Sequence, residues 1–129
     1  MKNENSYRKN LLQYQISTFK YAFNGLKHFF LHETKAIIHS VAAIAAIALG
    51  IVFGISAAEW LIVVLVIGAV FTAEIINTAI EHTVDLITQE HNPRAGLIKD
   101  LAAGAVLVVS ISAMAVGLII FIPKFVEIL

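Results

Sequence analysis

The 129-residue chain is 59% hydrophobic and only 14% charged, with a mean hydropathy of +0.84; soluble domains carry about 25% charged residues, so water is a poor solvent for most of it. Nine basic and nine acidic residues cancel, leaving no electrostatic case for nucleic acid as a partner. The absence of cysteine excludes a disulfide framework and a thiolate metal site.

A chain of this length reads as one domain, residues 1–129. Its amino end, "MKNENSYRKNLLQYQ", lacks the short apolar core and small-residue cleavage site of a signal peptide. Next, "ISTFKYAFNGLKHFFLHETK" sets Phe19, Phe23, Leu26 and Phe30 against Lys20, Lys27 and Lys35. Aromatics on one side and lysines on the other predict an amphipathic helix, about 16–34, lying along a membrane surface.

Residues Ala36–Ala58 contain no Asp, Glu, Lys or Arg. As a helix the run measures roughly 34 Å at 1.5 Å per residue, enough to cross a hydrocarbon core of about 30 Å. It predicts a first transmembrane helix at about 36–57, with a tight turn at Gly54-Ile55-Ser56. The second, about 59–88, opens on Glu59-Trp60, where tryptophan suits the headgroup level. It must run on past "LIVVLVIGAVF" into "TAEIINTAIEHTVDLITQE", because Trp60–Phe71 alone is too short to cross. "HNPRAG" breaks it with Pro93 and Gly96. A third span, about 99–122, is closed by Pro123 and Lys124.

Basic residues fix the expected orientation. Lys2, Arg8, Lys9, Lys20, Lys27 and Lys35 precede the first span, and Arg94 and Lys99 lie between the second and third. The turn between the first two has Glu59 and no basic residue. The positive-inside bias places the amino end and the 89–99 loop in the cytoplasm.

The second helix carries the chemistry. Positions 74, 77, 78, 81 and 85 recur at helical spacing, so Glu74, Asn77, Thr78, Glu81 and Asp85 share one face. Ile75, Ile76, Ile80 and Leu86 form the opposite, apolar side. An ionisable group in a membrane costs several kcal/mol unless paired, metal-bound or hydrated, which makes such residues functional suspects. The first span and Leu101–Ile122 of the third hold no acid or base apart from His39, so no proton relay crosses the bilayer. A stripe ending at the inner surface suits a reaction joining a hydroxyl from the lipid to a charged reagent from water.

Lys99 and Asp100 are placed at the start of the third span, suited to phosphate oxygens and to a helix start respectively, beside a small face, Ala102–Ala105, that permits close helix approach. Glu33 ends the surface helix at the same boundary. The histidines do not have the paired spacing of a helical zinc site, and no glycine-rich phosphate loop or kinase lobe is present.

"EIINTAIEHTVDLI" (74–87) followed by "HNPRAGLIKDLAAGAVL" (91–107), with "FKYAFNGL" (19–26) and "ETKAIIH" (33–39), resembles the small integral-membrane bacterial lipid kinases, diacylglycerol kinase and undecaprenol kinase. The likeness covers roughly residues 17–125. It implies an all-α homotrimer in the bacterial inner membrane, each subunit having a surface helix and three transmembrane helices. Active sites would form between subunits on the cytoplasmic side. By the same resemblance Glu74 is the catalytic base, and Glu33 and Glu81 hold Mg²⁺ with ATP as phosphoryl donor. Asn77 and Asp85 support the site, Lys99 and Asp100 contact the nucleotide, and Tyr21, Glu90, His91 and Asn92 surround it. Lys35 departs from the asparagine of many undecaprenol-kinase-like relatives, and the family's amino-terminal nucleotide-site arginine has no gap-free counterpart in Arg8. The expected activity is ATP-dependent phosphorylation of a membrane lipid's primary hydroxyl, undecaprenol ahead of diacylglycerol. A small helical cation channel or assembly factor is the non-enzymatic alternative, and a lipid phosphatase fits less well because the 89–99 loop has few basic residues.

Overall fold

The computed structural model describes residues 2–127, with side chains from Gln13 onward. Four helices make up the described residues: α1 (Lys2–His32), α2 (Thr34–Phe53), α3 (Ala57–Ile87) and α4 (Pro93–Val126). By packing they fall into two units, an amino-terminal one ending at Thr34 and a bundle beginning at Lys35.

Helix α1 begins at Lys2, well before the expected 16. The segment ahead of Ile16 contains no proline or glycine and several straight-chain helix formers, so nothing stops the helix there; the amphipathic pattern marks only its later part. Phe19, Phe23, Leu26 and Phe30 all stand exposed, at i, i+4, i+7 and i+11, as one apolar face.

Helices α2, α3 and α4 are long and apolar enough to cross a membrane, with mean hydropathies of 2.4, 2.2 and 2.8 in their most apolar windows. Short turns make them antiparallel neighbours. Helix α2 ends because Gly54 takes φ +58°, a left-handed conformation that costs glycine nothing. Ile55 N–H then donates to Gly50 O at 3.1 Å and Gly54 N–H to Ile51 O at 3.3 Å, satisfying carbonyls of the last turn. One residue later Ser56 caps α3 reciprocally: Glu59 N–H donates to Ser56 Oγ at 3.3 Å, and Ser56 N–H to Glu59 Oε2 at 2.7 Å.

The core lies toward this end. Ile55, Val63, Ile120 and Phe121 are buried together, with Phe53 and Trp60 packed on them. Gly50 lets α2 approach: a Cβ there would sit 2.8 Å from Trp60 Cη2. Lys124 reaches Glu59 at 3.4 Å across the same end.

Helix α4 starts at Pro93 instead of about 99, and the start is capped. Asn92 Oδ1 accepts from Arg94 N–H at 2.9 Å and Ala95 N–H at 3.4 Å, with proline at a position whose N–H has no intrahelical partner. Gly96 therefore lies inside the helix, and the break rests on residues 88–92. Asp100, expected at a helix start, lies two turns in. Pro123 does not close α4, which continues to Val126. Only one backbone bond is forfeited so near the end, and Glu127 N–H still returns to Pro123 O at 3.1 Å.

Candidate active site

The start of α2, the end of α3 and the start of α4 meet at one end of the bundle, and the acid stripe faces inward there. Glu74, Asn77 and Thr78 are 4%, 2% and 7% exposed, whereas Ile76 and Leu86 are 55% and 88% exposed. This is amphipathicity turned inside out, the arrangement a helix adopts when its surroundings are apolar and its polar groups have work to do inside.

Each acid has a different partner. Glu74 Oε1 is 2.7 Å from His39 Nε2 on α2, and the two side chains are 5% and 20% exposed. Glu81 receives Lys35 Nζ on both oxygens, at 2.7 and 2.9 Å, and Asn77 Nδ2 on Oε1 at 2.9 Å. Asp85 is paired with Lys99 Nζ from α4, more open to solvent. Burial thus falls along the stripe, from an enclosed carboxylate to a half-open one to an exposed one.

Three buried atoms in the deep part have no hydrogen-bond partner: Glu74 Oε2, Asn77 Oδ1 and Thr78 Oγ1. Leaving a buried acceptor unmade costs about 1–3 kcal/mol, and all three lie within about one turn of α3. They give this part of the stripe capacity to receive a proton-bearing ligand. A cavity of about 370 Å³ runs between the three helices beside it, walled by Ala42, Val70, Phe71, Met114 and Gly117, with His39 on its lining. The buried end of the stripe therefore adjoins apolar space.

Lys99 meets Asp85 as the sequence brings them into one loop-and-helix region, while Asp100 is exposed on α4 beside it. Glu90, His91 and Asn92 form the exposed turn between α3 and α4; Glu90 N–H donates to Thr88 Oγ1 at 3.3 Å, and Asn92 serves as the α4 cap. Tyr21 is exposed on α1, and Glu33 lies between α1 and α2 with its N–H on Phe29 O at 3.1 Å, both within the amino-terminal unit. Among the described residues, no three His, Asp or Glu side chains are grouped as a ligand set. Mg²⁺ needs fewer, being held through one or two carboxylates with substrate phosphates and water. Glu81 fits that donor chemistry, since it is 29% exposed and already has a cation, Lys35 Nζ, against both oxygens.

Sequence reasoning passed over His39 and the role of Lys35 toward Glu81. The signal was present in "KAIIH": Lys35 and His39 are four apart on α2, so they share a face and meet two acids on α3.

Known proteins resemble this chain along most of its length. Residues 20–121 match the family described as prokaryotic diacylglycerol kinase. The chain is 42% identical over 116 residues to an undecaprenol kinase of Bacillus subtilis (strain 168), covering 90% of this chain and 94% of that one. It is 31% identical over 126 residues to a diacylglycerol kinase of Synechocystis sp., covering 95% and 72%. A diacylglycerol kinase of Escherichia coli (strain K12) is 29% identical over 94 residues, covering 73% and 77%. The chain, a multi-pass membrane protein, belongs to the prokaryotic diacylglycerol kinase family and is a lipid kinase, a phosphotransferase with an alcohol as acceptor.

Proposed function

We propose that the chain transfers the γ-phosphoryl group of ATP to the primary hydroxyl of undecaprenol at the cytoplasmic boundary of the membrane, with Glu74 as general base. The observation carrying this reading is the buried carboxylate whose Oε1 is held by His39 while Oε2 has no partner. In the step, the hydroxyl proton passes to Glu74 Oε2, the lipid oxygen bonds to the γ-phosphorus, and the bond from phosphorus to ADP breaks.

The remaining residues divide the nucleotide's charge. Glu81 and Glu33 would hold Mg²⁺, which neutralises charge on the phosphates and orients the γ-phosphoryl group. Asn77 steadies Glu81. Asp85 aims Lys99 at phosphate oxygens, with Asp100, Tyr21, Glu90, His91 and Asn92 around the nucleotide. The family resemblance supports a homotrimer with sites completed between subunits. Positive charge at the amino end and near the 88–92 turn supports a cytoplasmic site in the bacterial inner membrane.

Undecaprenol is favoured by the 42% identity, nearly end to end, with the Bacillus subtilis undecaprenol kinase. Diacylglycerol is the second reading, favoured by the Synechocystis and Escherichia coli relatives. The test is transfer of labelled phosphate from ATP to each lipid at matched mole fraction in micelles. Faster labelling of undecaprenol is expected. Faster labelling of diacylglycerol reverses the assignment, and ion flux with neither lipid labelled would replace the kinase reading by a channel.

A further inference from the structure

We infer that His39 is the positioning residue of the catalytic base: its Nε2–H holds Glu74 Oε1 and thereby makes Oε2 the oxygen that meets the lipid hydroxyl. The inference rests on the reading of Glu74 as base and adds to it a residue from another helix.

The geometry is specific. His39 Nε2 and Glu74 Oε1 are 2.7 Å apart, and the acid side chain is 5% exposed, so little solvent competes for the bond. An ionised carboxylate only accepts, so the bond requires a proton on Nε2. The nearest cation on α2, Lys35, lies one turn before His39 and is spent on Glu81; on α4, Lys99 is directed to Asp85. Glu74 is thus served by a histidine while the two acids nearer the helix end are served by lysines.

That division has a chemical reason. A lysine against Glu74 would offset the negative charge that lets the carboxylate take a proton. An imidazole N–H, when the ring is neutral, orients the group and leaves that charge in place. Without the donor, a buried glutamate with three rotatable bonds can turn either oxygen toward the substrate or away from it, and productive alignment becomes one state among several. His39 also lines the apolar cavity between the helices, so the donor stands at the border between Glu74 and the space nearest to a lipid chain.

The test uses the full chain in micelles with undecaprenol and Mg-ATP. Replacing His39 by leucine (His39→Leu) removes the donor, and His39→Gln supplies an amide N–H in its place. For His39→Leu we expect kcat to fall at least about tenfold, with both KM values within about twofold of wild type. His39→Gln should recover most of the loss, and in a Glu74→Gln background His39→Leu should add nothing further. Independently of whether the variants fold, ¹⁵N spectra of the wild-type His39 ring should place the proton on Nε2. Wild-type kcat in His39→Leu, equal loss in His39→Gln and His39→Leu, or a proton on Nδ1 alone would each overturn the inference. A fully active Glu74→Gln variant instead removes the base reading itself, whereas an inactive Glu74→Gln beside an active His39→Leu removes only the pairing.

Discussion

Replacing Glu74 by glutamine separates what this residue does for the fold from what it does for the reaction. The substitution keeps the side chain's shape and an oxygen to accept the His39 bond, while removing the charge from a position 4% exposed. In the wild type, Oε2 is buried with no partner, a state that costs about 1–3 kcal/mol and more for a charged group. The bond to His39 returns about 1.5–3 kcal/mol and survives the substitution in weaker, neutral form. The two changes nearly cancel, so the variant should match the wild type or gain about 1 kcal/mol in stability, as sites held ready for function commonly do when relieved of their charge. Turnover should move the other way, falling about 100-fold or more, because a positioned base contributes roughly 10²–10⁴ in rate. Unfolding by a denaturing detergent in mixed micelles measures the first quantity, and labelled phosphate transfer to lipid measures the second. Calorimetric titration with Mg-ATP should show unchanged affinity. A variant destabilised by more than about 1 kcal/mol would mark Glu74 as structural glue, and turnover within about tenfold of wild type would refute the base assignment.

Two further substitutions probe the neighbouring contacts. Lys35→Met frees both oxygens of Glu81; a pair this exposed is worth about 1 kcal/mol, so the Mg²⁺ concentration for half-maximal turnover should drop about fivefold. A rise in that concentration, with a higher KM for ATP, would show that Lys35 leaves Glu81 to serve the phosphates. Gly50→Ala places a methyl group 2.8–3.0 Å from Trp60 and Ile55 atoms; overpacking of about 1–3 kcal/mol should outweigh about 1 kcal/mol of helix preference in detergent-unfolding titrations. Gly68→Ala, with no heavy atom within 4 Å of the new methyl, should be neutral or stabilising, and equal behaviour of the two glycines would contradict the α2–α3 approach at Trp60.

The all-α class and the three membrane-length helices could be read along the chain because each is a local property: a mostly apolar run long enough to cross, then a turn. The stripe was legible for the same reason, since Glu74, Asn77, Thr78, Glu81 and Asp85 repeat at the period of a single helix. Their partners were not. The contact from His39 to Glu74 joins residues 35 apart and that from Lys35 to Glu81 joins residues 46 apart, and helical periodicity says nothing about which face of one helix meets which face of another. Helix ends were also obscured where hydropathy and backbone chemistry disagree. Apolar content begins near Leu101, but the Asn92 cap with Pro93 starts α4 two turns earlier. Pro123 looks like a terminator in sequence, yet three residues from a helix end it forfeits too little to act as one.

The proposed site depends most on which side of the membrane receives the acid-bearing end of α3, because it would draw ATP and magnesium from the cytoplasm. The chain has no cysteine, so single cysteines report topology without background. Gln89→Cys in the exposed 88–92 turn and Ala58→Cys at the exposed start of α3 mark opposite ends of one helix. With a membrane-impermeant maleimide applied to spheroplasts, position 58 should be labelled from outside and position 89 only after lysis. Labelling of position 89 in intact spheroplasts would put Glu74, Glu81 and Asp85 on the wrong side for ATP and contradict the assignment.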